Sequence, residues 1–208
     1  MHGCPIRPRK GQDRQKSGAR EQMTNEVEIC TPDDVLSFWF GELTYDDWFT
    51  MSGELDKACI RRFQASHLAL ARGVSEIWRA TPENRLAAII LLDQMPRNMY
   101  RGTPLAFATD CLALHEAKLA VGIGADMAIK PEARAFVYLP FEHSENLTDQ
   151  TMSVKLFTEL GDADYLDYAI RHREVIEQFG RFPHRNALLA RVSTDAELAY
   201  LAQPGAGF

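Results

Sequence analysis

The sequence predicts an all-α domain, and three observations carry that prediction. A threonine precedes a proline and acidic residues at Thr31-Pro32-Asp33-Asp34 and again at Thr81-Pro82-Glu83; threonine caps the first free N–H groups, proline suits the first helical position, and acids favour the first turn. Apolar residues then recur three and four apart. No segment alternates apolar and polar residues between turn signals, as a half-buried strand would. The short helices and tight Pro/Gly punctuation fit either stacked helical hairpins or a compact irregular helical bundle.

Taken in order, the first helix starts at Pro32 and places Val35, Phe38 and Trp39 at helical spacing. A second spans about Glu54 to Ala71, with Ile60, Phe63, His67 and Leu70 on one face. The third runs from Pro82 through Leu92 and is expected to end before Pro96. An alanine-rich helix follows from Pro104 to about Val121. Pro131 opens the next, Pro140 is read as opening another, and residues 164–179 form a long one. Thr194-Asp195-Ala196-Glu197 has the spacing of a capping box for the last helix. If the chain is an interaction scaffold, exposed aromatics such as Trp48 and Tyr100 would line its groove.

Composition narrows the function classes. The 208 residues suffice for one domain with a real core. The longest uninterrupted apolar stretch, Leu86 to Leu92, falls far below the roughly 18 residues of a membrane span. The amino terminus has no apolar core behind its basic residues and so does not read as a secretory signal. Cys4, Cys30, Cys59 and Cys111 lack paired spacing, which suits reduced thiols and a cytoplasmic location; Cys59 and Cys111 read as core residues.

Charge is uneven. Residues 1–22 carry a net +4, leaving −10 of the total −6 for the rest. The expected organisation is a disordered basic extension over residues 1–28 and a single helical domain over 29–208. The acidic body is a poor nucleic-acid binder.

Ionisable residues among apolar neighbours mark a candidate site, because isolated buried charge is costly. Asp93 follows a helix whose preceding residues are all apolar, so its face points inward and needs a cation; Arg97 and Arg101 are near in sequence. His143 lies between Glu142 and Glu145, which could orient its ring. His172 shares a stripe with Tyr168, Ile176 and Phe179. In Phe179-Gly180-Arg181-Phe182-Pro183-His184-Arg185-Asn186 a break between helices carries two arginines, a histidine and free backbone amides. No histidine has Asp, Glu or His three or four residues away, so a helical metal site is not expected. The dinucleotide, phosphate-loop and nucleophile-elbow signatures are absent.

Three segments resemble one known family: LLDQMPRNMYRGTPLAFATD (91–110), YLPFEHSENLTDQTMSVKLF (138–157) and YAIRHREVIEQFGRFPHRNALLARVSTDAEL (168–198). The family is the bacterial one catalogued as domain of unknown function 924. VLSFWFG at 35–41 matches as well, and the resemblance covers about residues 30–208. It implies a tetratricopeptide-like helical fold and no assigned activity. Its motif residues fall on Asp93, Gln94, Arg97, Asn98 and Arg101, on Glu142, His143, Glu145, Asp149, Gln150 and Ser153, and on His172, Arg173, Arg181, His184, Arg185, Asn186 and Arg191. Ala190 stands where the family commonly has glycine.

The functional expectation is a site for a small anionic ligand bearing phosphate or carboxylate. Arg97, Arg101, Arg173, Arg181, Arg185 and Asn186, with Asp93, would bind it. His143 or His184, oriented by Glu142 or Glu145, would act as general acid or base in a metal-independent hydrolase or transferase. No cofactor is expected. The competing reading is an interaction scaffold that clamps a peptide carboxylate, with the polar motifs a structural network.

Overall fold

A computed structural model describes residues 29–207. The expected basic extension over 1–28 lies outside the described residues. Every regular element among those described is helical. The described residues form nine α-helices: α1 (Pro32–Leu36), α2 (Tyr45–Phe49), α3 (Gly53–Arg72), α4 (Pro82–Met99), α5 (Asp110–Gly122), α6 (Pro131–Glu142), α7 (Leu147–Leu160), α8 (Ala163–Phe179) and α9 (Asp195–Leu201). Shorter turns of 3₁₀ or π type fill several of the connections.

The capping signals act as the sequence predicts. Thr31 and Asp34 form a capping box at α1, Thr81 caps α4, and Thr194 and Glu197 form a box at α9. From α3 to α8 each helix packs on the next, while α4 also touches α1 and α6. That hub gathers the helices into a compact bundle. Residues Leu86–Pro96 of α4 are all buried, as a helix surrounded by others requires. Trp39, Phe63, Phe136 and Phe157 complete the core around it.

Two proline expectations fail, and for Pro96 the reason is tertiary. Pro96 does not stop α4, which runs to Met99, and Pro140 lies inside α6 instead of opening a helix. A proline removes one helical N–H. For Pro96 the carbonyl so released is that of Leu92, and the Thr109 hydroxyl donates to it at 2.6 Å. Thr109 in turn accepts from His67 Nε2 at 3.1 Å, and His67 Nδ1 accepts from the Tyr100 hydroxyl at 3.1 Å. His67 is thus a satisfied core histidine tying α3 to α4 and α5. The expected helix from Pro104 is two elements, a 3₁₀ turn (Pro104–Phe107) and then α5. Trp48 and Tyr100 are half-buried; the Trp48 indole donates to the Trp39 carbonyl at 3.0 Å and packs on Phe136.

Ala190 has φ +53°, and the Arg191 N–H closes the turn onto the Asn186 carbonyl at 2.8 Å. The left-handed region favours glycine, which accounts for the residue common here in the family. A Cβ in that region costs about 1–2 kcal/mol. Glycine's extra freedom in the unfolded chain costs less, about 0.4–1 kcal/mol. Ala190→Gly is therefore expected to stabilise the protein by about 0.5–1 kcal/mol. The measurement is a urea titration, in which the midpoint should rise at unchanged slope; a lower midpoint would contradict the strain.

Candidate functional site

Because Pro96 leaves α4 intact, Asp93 sits within the central helix with no exposed surface. Its carboxylate is held from several sides. Oδ1 accepts from His143 Nδ1 at 2.9 Å and lies 3.4 Å from Arg97 Nη1, and Oδ2 accepts from Gln94 Nε2. Burial alone would raise its pKa, but Arg97, His143 and Gln94 outweigh burial and hold the carboxyl below its usual range. Arg97 continues the chain: its Nη1 also donates to the Asp93 carbonyl, and its fork meets both Asp110 oxygens at 3.1 Å. Asp110 Oδ2 accepts in turn from Arg185 Nη1 at 3.4 Å. Acid and base alternate along Asp93, Arg97, Asp110 and Arg185, joining α4, α5 and the 3₁₀ turn Pro183–Arg185.

His143 caps the C-terminus of α6. Its Nδ1–H points to Asp93, so Nε2 carries the lone pair, and the ring keeps 14% of its side-chain surface exposed. Burial, and then the Arg97 charge, hold its pKa below the usual histidine value. Arg185 is unusual. It is 7% exposed, with its guanidinium 4.7 Å from the Phe107 ring centre and 4.6 Å from that of Phe182, and its Nε has no hydrogen-bond partner among the described residues. Burial, then the nearby Arg97 charge, push its pKa down to about 10. His143, Asp110 and Arg185 line one cleft of about 350 Å³ with Phe107, Leu114 and Glu145.

Glu142 is 3% exposed and points away from that role. Its Oε1 is 3.3 Å from His172 Nδ1, which donates to the Tyr168 carbonyl at 2.8 Å, and Oε2 has no partner among the described residues. Burial, reinforced by the Asp93 charge, pushes Glu142 up to about 8, so it is a neutral acid near pH 7. Glu145 is committed as well: it takes both ends of the Arg191 fork and the Phe182 N–H. Asp93, on another helix, is what orients His143, correcting the expectation that Glu142 or Glu145 would.

The remaining expected residues do not converge on the cleft. Arg101 ends on Asp56 at 2.8 and 2.9 Å. Arg173 pairs with Glu177 one turn along α8 at 3.2 Å, and Arg181 forks onto Glu197 at 2.6 and 2.8 Å. Each meets an acid in its own neighbourhood, so the pooled arginine surplus does not exist. Asn186 is buried holding Ser193 and Arg191. The His184 ring lies against Phe182, its centre 5.6 Å away, with Gly207 close by, and His184 does not line the cleft. Cys111 is exposed and lines the cleft instead of joining the core.

Sequence reasoning missed Asp110, Phe107 and Leu114. Asp110 ends the first motif and sits at a helix start, where acids are common for local reasons. Nothing in its spacing separates the two roles. Among the described residues, no three His, Cys, Asp or Glu side chains gather so as to hold a metal ion. No described helix is long and apolar enough to cross a membrane.

Residues 35–205 match the family described as bacterial protein of unknown function (DUF924), and the chain belongs to that family. It is similar to a solved structure, the protein of unknown function ATU0120 from Agrobacterium tumefaciens. The two share 40% identity over 82% of this chain and 96% of that one, with a TM-score of 0.79. No curated protein matches the chain.

The buried titratable groups set a two-sided pH dependence. Burial pushes His67 and His184 down to about 4 and His172 to about 3. Each folds neutral, so its contribution is full above the unfolded value near 6.5 and is lost as pH falls toward 4. Glu142 works in the opposite sense. It folds protonated, so its contribution is full below about 4.5 and is lost as pH rises toward 8. Thermal unfolding from pH 4 to 8.5 should therefore show a stability maximum near pH 6. In Glu142→Gln the alkaline limb should flatten while the acid limb persists; unchanged limbs would contradict a protonated Glu142.

Proposed function

We propose that the cleft binds a small anionic ligand through Arg185 and that His143, turned by Asp93, transfers a proton on it. The observation that carries this reading is Arg185. It is a guanidinium nine-tenths buried between two aromatic rings, with one long contact to Asp110 and an unused Nε. Burying a cation with donors left over is costly unless an acceptor arrives. Arg101, Arg181 and Arg191, each forked onto a carboxylate, differ from it in this respect. A carboxylate or phosphate oxygen in the cleft would give its Nη groups the acceptor that the single 3.4 Å contact to Asp110 supplies only weakly.

The proton chemistry follows from the tautomer. His143 Nε2 can accept a proton from water or a substrate hydroxyl, and the Asp93 carboxylate stabilises the imidazolium so formed. Arg185 is placed to stabilise negative charge developing on the ligand. Every group in this scheme is a side chain of the protein, and the reaction class it supports is hydrolysis or group transfer.

A thermal-shift screen against anionic metabolites tests the binding half. A ligand at about 100 times its dissociation constant adds roughly 2.7 kcal/mol, which raises the melting temperature of a chain this size by about 5–10 °C. Arg185→Gln should abolish that shift. His143→Gln should keep it and lose turnover. A shift that survives Arg185→Gln would overturn the assignment.

A further inference from the structure

Building on the anion-binding reading, we infer that the ligand of this cleft carries a single anionic head on an apolar body, with a monocarboxylate favoured over sugar phosphates and nucleotides. Three observations on the cleft's lining lead there.

The first is how few polar atoms remain for a ligand. Asp110 is engaged by the Arg97 fork, Ser144 donates to Asp149 at 2.9 Å, and Glu145 is taken by Arg191 and the Phe182 N–H. That leaves the spare N–H groups of Arg185 and Nε2 of His143, enough for one head group. The second is the remainder of the lining, which apart from the Cys111 thiol is apolar: Pro104, Phe107, Ala108, Leu114, Pro140 and Leu189. The hydroxyls of a sugar placed against these side chains would have no partner, at a cost for each. Methylene or aromatic groups would gain from the same contact.

The third is charge. Arg97, Arg185 and Arg191 are matched by Asp93, Asp110 and Glu145, so the group is formally neutral with His143 uncharged. One extra negative charge can be met at Arg185 with His143 left neutral; the several charges of a polyphosphate find no further cation in the lining. The volume agrees in scale. At about 30 Å³ per small polar or methylene group, 350 Å³ takes roughly a dozen non-hydrogen atoms, the size of a medium-chain or phenyl-substituted carboxylate.

Isothermal titration of the full chain with straight-chain carboxylates from butanoate to decanoate, and with phenylbutanoate, tests this directly. Octanamide, a hexose phosphate and ATP serve as comparisons. Affinity should rise about fourfold per added methylene until the cleft is full. Octanamide, which lacks the charge, should bind at least about tenfold more weakly. Leu114→Trp, which fills the apolar side without touching the polar head, should weaken long chains more than butanoate. It serves as the second variant should Arg185→Gln fold poorly. Arg185-dependent binding of the hexose phosphate or ATP, with carboxylates silent or insensitive to length, would overturn the ligand class and leave the anion pocket standing. Absence of binding by every anion, or binding unaffected by Arg185→Gln, would overturn both.

Discussion

The burial of the Asp93 carboxylate in the middle of α4 is the constraint on which the rest of the site depends. A carboxylate with no exposed surface is unfavourable by several kcal/mol unless it is fully compensated. Compensation comes from a neighbour on its own helix (Gln94), from Arg97 one turn on, and from His143 at the end of α6. Arg97 then requires Asp110 at the start of α5, and Asp110 draws in Arg185 from the turn after α8. One buried charge thereby fixes the relative position of four segments distant in sequence. Removing any member leaves its partner buried and uncompensated, so the network has structural weight whatever its chemistry.

The arginines differ in how fully they are satisfied. Arg101 and Arg181 each meet a carboxylate in bidentate geometry, which uses a guanidinium well and leaves little for a ligand. Arg185 is more deeply buried and less satisfied. Held between Phe107 and Phe182 with a single 3.4 Å contact to Asp110, it is positioned by packing more than by pairing. Phe182 belongs to a small second apolar cluster with Val175 and Ile176, so one of the rings against Arg185 is anchored apart from the main core.

Helix starts were legible in the sequence because capping is local: Thr31, Thr81 and Thr194 act on the residues immediately after them. Pro96 and Pro140 were not, because whether a proline ends a helix depends on what receives the released carbonyl. For Pro96 the receiver is Thr109, in a different element. The same limit applies to the site. That Asp93 needs a cation and that His143 needs an orienting acid followed from burial patterns; that each supplies part of the other's need required the fold. Sequence proximity suggested Glu142 and Glu145 for His143, but Glu142 turns to His172 and Glu145 to Arg191. Ala190 shows the reverse case, a departure visible in the sequence whose meaning appears only with its backbone angle.

The most direct test of the Asp93–His143 arrangement is the ring-nitrogen chemical shifts of His143 in histidine-labelled protein at neutral pH, assigned by loss of the signals in His143→Gln. The arrangement predicts a neutral ring with the proton on Nδ1 and an unprotonated Nε2, and a clear change in those shifts in Asp93→Asn, provided that variant folds. A ring protonated on Nε2 alone would contradict it. So would a ring charged throughout the neutral range, since neither leaves a lone pair facing the cleft to accept a proton.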